Sequence, residues 1–298
     1  MSTVDGAITF GPDANCTLEI CPLESSILQY QPSVPANVFF IAFFGLAIAA
    51  HSLQGIQGRT WGFVASMVSG CILEVVGYAG RLIIHDNPFD FAGFLIQIIC
   101  ITIAPVFFCS AIYVLLSQVI IHIDPQISRF SPRLFYWIFI PCDIASLILQ
   151  ATGGALSCVG TSKDDIKQGE DISLAGLVFQ VFTLVVFLGL FADYLAACAR
   201  ATSAAARGRI TPRVKVFLAF LLMSVVLILV RCAYRIVELQ GGYFSETFRD
   251  EGLFIGLESG VMCLAVVCLN IGHPSVAFGG DNAERKSGLF ELQERDEV

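Results

Sequence analysis

Seven long apolar stretches, near residues 35–57, 62–84, 91–121, 134–158, 172–197, 215–239 and 252–271, constrain this chain more than any other feature. Each can cross a hydrocarbon core of about 30 Å, which takes roughly 20 helical residues. Lipid offers no water to a stray N–H or C=O, so a spanning segment must be a helix or part of a closed barrel. A barrel strand alternates apolar and polar residues, whereas these runs are apolar on all sides. Charged residues make up 14% of the 298, against about 25% in a soluble domain, too few to cover a water-facing surface. The expected fold is all-α: a polytopic membrane protein with a seven-helix transmembrane domain at 35–271, an N-terminal tail at 1–34 and a C-terminal tail at 272–298.

Lys and Arg in the short connections set the orientation. The N-terminal tail and the connections at 85–90, 159–171 and 240–251 carry three, while those at 58–61, 122–133 and 198–214, with the C-terminal tail, carry ten. This asymmetry predicts an extracellular N-terminus and a cytosolic C-terminus. Asn15-Cys16-Thr17, the chain's single N-x-[ST] sequon, then falls outside, which makes Asn15 a candidate glycosylation site. The tail lacks a basic segment followed by an apolar one, so a cleaved signal peptide is not expected. Most of the eleven cysteines lie within spans as small packing residues. Cys16 and Cys21 lie in the outer tail, where oxidation is permitted, and a disulfide between them is preferred; Cys158 stands near the outer end of the fourth span.

Ionisable side chains inside spans cost at least about 2.5–3.5 kcal/mol each, so they face a partner or a wet cavity. Arg231, Arg235 and Glu238 share one helical face at i, i+4 and i+7, and Glu74, Tyr78 and Arg81 repeat that spacing in the second span. Counted from the cytosolic ends, the two faces match in depth to within roughly 6 Å, and Arg231 and Arg235 are expected to meet Glu74, Glu238 or a bound headgroup rather than lipid. Gln97, Gln150, Gln180 and Glu258 lie at similar levels in the outer half, with Asp143, His51 and Asp193 deeper. Pro105 and Pro141 interrupt the third and fourth spans and free the carbonyls of Ile101 and Trp137. Such groups either fasten helices together or line a polar cavity, and Arg81, Arg235 and Glu238 are also near enough to the interface to snorkel. The number of polar groups favours a cavity. His51 and His273 read as hydrogen-bonded structural groups, and no Cys/His spacing suggests a metal site.

The stretches Glu74-Val-Val-Gly-Tyr-Ala-Gly-Arg81, NPFDFAGFLIQIICITIAPVFF (87–108), PRLFYWIFIPCDIASLILQATGGAL (132–156), GLVFQVFTL (176–184), RCAYRIVELQGG (231–242) and His273-Pro274 resemble the fungal lipid-translocating exporter family, the Rta-like seven-span proteins that include sphingoid long-chain base exporters. The tail with Cys16, Cys21 and YQPSVPANVFF (30–40) fits too, and the likeness covers about residues 16–275. Ser275 stands where the family usually has Gly. The resemblance implies a plasma-membrane protein with a receptor-like bundle, a role in lipid asymmetry, and resistance to toxic lipids or drugs.

A lipid translocator is the leading expectation. Glu74, Glu238 or Glu258 would pair with an ammonium head, and Arg81, Arg231 or Arg235 with a phosphate. The chain has neither a G-x-x-x-x-G-K-[ST] loop nor an Asp-Lys-Thr-Gly sequence, so direct use of ATP is not expected, nor are a cofactor or a nucleic-acid partner. The alternative is a seven-span lipid sensor whose loop 198–214 engages a cytosolic partner. A metal-dependent hydrolase would need converging histidines, and two of the four, His85 and His122, fall at opposite ends of the spans.

Overall fold

A computed structural model of the chain describes residues 3–4, 7–12, 14–58, 60–123, 128, 130–160, 162–200, 211–242 and 245–273. Residues 201–210 of the basic loop and the tail from Pro274 onward lie outside the described residues. Among the described residues, seven helices are long and apolar enough to cross a membrane: α1 (Val34–Gly58), α2 (Trp61–Asp86), α3 (Phe91–Ile123), α4 (Pro132–Val159), α5 (Lys163–Arg200), α6 (Pro212–Gln240) and α7 (Glu251–Ile271). A one-turn helix, Glu246–Arg249, sits between the last two. Pro132 and Pro212 open α4 and α6, where the missing N–H is no loss, and Thr211 caps α6 by accepting from the Val214 amide at 3.4 Å.

The helices form a ring in chain order, α7 closing onto α1, and α3 reaches inward to touch α6. Apolar side chains also cover the outside: Leu46 is 72% exposed and Trp137 70%. Water would penalise so extensive an apolar surface, while lipid accepts it. Lipid supplies no hydrophobic drive between helices, so close packing must hold the ring together, and small residues permit it. At the α2–α3 contact, a Cβ on Gly80 would lie 2.9 Å from the Gly93 carbonyl and the Gln97 amide. At the α4–α5 contact, one on Gly153 would lie 2.4 Å from the Ser173 amide.

One element differs from the sequence expectation. Residues 163–171, expected within a connection, form the first turns of α5. Ser162 and Asp165 cap this end reciprocally: the Asp165 amide donates to Ser162 Oγ and the Ser162 amide to Asp165 Oδ2, each at 3.1 Å. This capping box lets the helix start in a charged stretch that hydropathy reads as a loop.

The N-terminal tail is folded. Thr3–Val4 pairs antiparallel with Ala7–Ile8, Cys16 and Cys21 form a disulfide, and Ile27 and Leu28 pack on Ile84, Phe94 and Phe248. Gln31 donates to the His85 carbonyl at 3.2 Å, and the Ser33 amide donates to Glu251 at 2.6 Å. The tail is thereby tied to the adjoining ends of α2 and α7.

Candidate functional site

Pro105 cannot donate to the Ile101 carbonyl one turn earlier in α3. Arg231 of α6 fills that vacancy, donating to the Ile101 oxygen at 2.6 Å. The same guanidinium forms an ion pair with Glu258 of α7, both side chains being 1% exposed. Glu258 lies in a π-helical segment, Phe254–Gly260, whose wider turn leaves both Glu258 and its neighbour Ser259 buried. One turn along α6, Arg235 pairs with Glu238 and donates to Thr102 Oγ1 at 3.4 Å. Consecutive residues of α3, Ile101 and Thr102, thus receive the two arginines of α6.

Of the carboxylates expected to meet the two arginines, Glu238 pairs with Arg235, and Glu74 is hydrogen-bonded to neither. Arg231 takes its carboxylate from α7, and Arg235 takes one from its own helix. Glu74 is fully buried near Arg231 and Glu258 and feels the charge of both, yet neither carboxylate oxygen has a hydrogen-bond partner among the described residues. Arg81 does not snorkel. It is 1% exposed, lies 4.0 Å from the Phe254 ring centroid, and bonds to Asn37 and Tyr30 at 3.1 Å and Glu251 at 3.4 Å. Burial pushes the Tyr30 hydroxyl above the usual tyrosine range, and the nearby Arg81 charge only partly offsets that.

A cavity of about 320 Å³ lies among α3, α4, α5 and α6. Its walls are mainly apolar, with Leu95, Ile99, Ile103, Leu147, Ala151 and Leu177 among them, and its polar groups are Thr102, Gln150, Ser173 and Arg235. Ile99 and Ala151 are exposed, so the cavity opens between α3 and α4 onto the apolar flank of the bundle. Gln150 donates to Gln180 Oε1 at 3.0 Å, while its own buried Oε1 has no partner among the described residues. Arg235 belongs to both the ion cluster and the cavity wall.

Other polar residues stand apart. Gln97 is buried in the α2–α3 contact, away from the Gln150–Gln180 pair. Asp143 accepts from Tyr113 at 3.0 Å among Phe139 and Phe187, in an aromatic layer rather than the cavity. His51 and His273 face each other with ring centroids 6.1 Å apart beside Phe63, and no group able to hold a metal ion occurs among the described residues. Asn15 is exposed, its Oδ1 accepting from the Ile8 amide at 2.7 Å. Sequence reasoning missed Asn37, Tyr30, Thr102 and Glu251; the one available signal was Asn37, an amide within the apolar first half of the first span.

Comparison with known proteins adds a second line of observation. A protein-family model described as RTA1 like protein matches residues 67–281. The chain is 33% identical over 281 residues to the sphingoid long-chain base transporter RSB1 of Saccharomyces cerevisiae (strain Lalvin EC1118 / Prise de mousse), covering 84% of this chain and 73% of that one. It is 25% identical to the lipid-translocating exporter-like protein RTA1 of Leptosphaeria maculans, over 87% of this chain and 53% of the other. Protein RTM1 of Saccharomyces cerevisiae is 28% identical over 68% of this chain and 64% of its own length. No solved structure matches the chain.

Proposed function

The chain belongs to the RTA1-like protein family, and on that premise we propose that it carries sphingoid long-chain bases, or related single-chain amphiphiles, between the leaflets of the membrane without using ATP directly. The role is non-enzymatic. The observation that carries this reading is the cavity between α3 and α4, which presents apolar walls to lipid and polar groups at Gln150, Thr102 and Arg235. At about 320 Å³ it is at the small end of ligand pockets. That suits part of one alkyl chain with a small head better than a two-chain phospholipid. An ammonium or hydroxyl donates to Gln150 Oε1, a hydroxyl accepts from Arg235, and the rest of the chain stays in lipid.

A polar head stranded in hydrocarbon costs several kcal/mol. A lined cavity lowers that barrier in both directions and leaves the direction of net flow to a gradient. Ten Lys and Arg against three support an extracellular N-terminus with the transmembrane domain at 35–271, and the exposed Asn15 and the Cys16–Cys21 disulfide suit that side of a plasma membrane. Resistance to toxic long-chain bases follows if export lowers their level in the cell.

The test is the pure protein in liposomes with a labelled long-chain base and no ATP. Transfer between leaflets should exceed that in protein-free liposomes. Ala151→Phe, which fills the cavity, should slow it about tenfold for each 1.4 kcal/mol of clash with the occupant. Binding without any acceleration, in well-folded samples, would overturn translocation in favour of a lipid sensor.

A further inference from the structure

Three carboxylates, Glu74, Glu238 and Glu258, share the buried cluster with two guanidinium groups, Arg231 and Arg235. Glu238 and Glu258 are each paired, and Glu74 is left over with both oxygens unpartnered. The titratable groups around it come from four helices: Cys71 and Tyr78 of α2, Cys100 of α3, Arg231 of α6, and Glu258 and Cys263 of α7. Arg231 is the cation of that set, and it is already committed to Glu258 and the Ile101 carbonyl. An uncompensated charge in such a place costs several kcal/mol. A proton removes that cost and needs no additional space.

We propose that Glu74 is a reversible proton site whose proton is released when a lipid occupies the cavity between α3 and α4. The O–H bond of the carboxylic acid breaks, the electron pair stays on the carboxylate, and the proton passes to bulk water. With Glu74 neutral, the two guanidinium groups balance Glu238 and Glu258. With Glu74 ionised, it competes with Glu258 for Arg231. Arg231 and Arg235 grip adjacent residues of α3, and Thr102 and Arg235 both line the cavity. A change in the hold on Arg231 therefore reaches the lipid site through two residues of backbone. By thermodynamic reciprocity, lipid binding must shift the proton as much as the proton shifts lipid binding.

The inference rests on the cavity being a lipid site, and the two can fail separately. Infrared difference spectra of the protein in nanodiscs, taken between roughly pH 5 and pH 9, should show a titrating carboxylic-acid band that Glu74→Gln lacks and Glu74→Asp restores. Adding a sphingoid long-chain base in weak buffer should release about one proton per bound lipid from the wild type, beyond that from lipid alone, and none from Glu74→Gln. The wild type decides even if the variant folds poorly: no titrating band and no release would overturn the proposal, as would spectra and proton counts unchanged in Glu74→Gln. Proton release without lipid crossing would retain the site and refute transport; crossing without proton release would do the reverse.

Discussion

Arg231 is clamped by a carboxylate on one helix and a main-chain carbonyl on another, so removing it strands Glu258 in the core. Breaking a buried pair from one side costs about 3–5 kcal/mol. Arg231→Leu should destabilise the protein by that order in thermal unfolding in detergent. Adding Glu258→Leu should restore most of the loss, and Glu74→Leu distinctly less. Equal rescue by either change would show that Arg231 is shared evenly. The ionisable residues of this cluster were legible in the sequence because each is costly in lipid and stands out against an apolar run. Within α6 the pairing of Arg235 with Glu238 was legible too, but the partners on other helices were not. Depth along a span can be counted, but rotation about the axis and the choice of neighbouring helix arise from packing, and Glu258 is aimed by a π-helical turn that no residue pattern announces. The freed Ile101 carbonyl is the exception, since a proline names its own vacancy.

At the scale of elements, the α4–α5 pair tests the role of small residues. A side chain at Gly153 would meet the backbone of Ser173 at 2.4 Å, and Gly169 is equally constrained, with a Cβ 2.5 Å from the Ser157 amide. Neither backbone can move aside cheaply. Gly153→Val should therefore part these helices, with a stability loss of about 1–3 kcal/mol typical of overpacking. Gly189→Val, where a Cβ meets nothing within 4 Å, should leave unfolding unchanged. A matched loss in both would point to glycine's backbone freedom rather than to contact. The seven helices were visible in the sequence because hydropathy measures the solvent, and here the solvent selects the secondary structure. The start of α5 was hidden by charge: hydropathy stops at the lipid boundary, but a capped helix does not.

For the molecule as a whole, an N-terminus outside the cell predicts an enzyme-sensitive glycan on Asn15 that disappears in Asn15→Gln; a tail protected from added protease in intact cells would reverse the orientation. The surplus carboxylate also has an electrical meaning. A transmembrane potential does work on moving charge, about 2.3 kcal/mol per elementary charge per 100 mV across the full membrane. While Glu74 carries its proton, the cluster of two arginines and three acids is neutral, and voltage has nothing there to push. Ionisation leaves a single negative charge in the field, so within this cluster membrane potential acts on the step in which the proton is absent. With an uncharged amphiphile, voltage would act on that step and on the proton's own passage to bulk water, whereas a cationic base would add the work done on its own head.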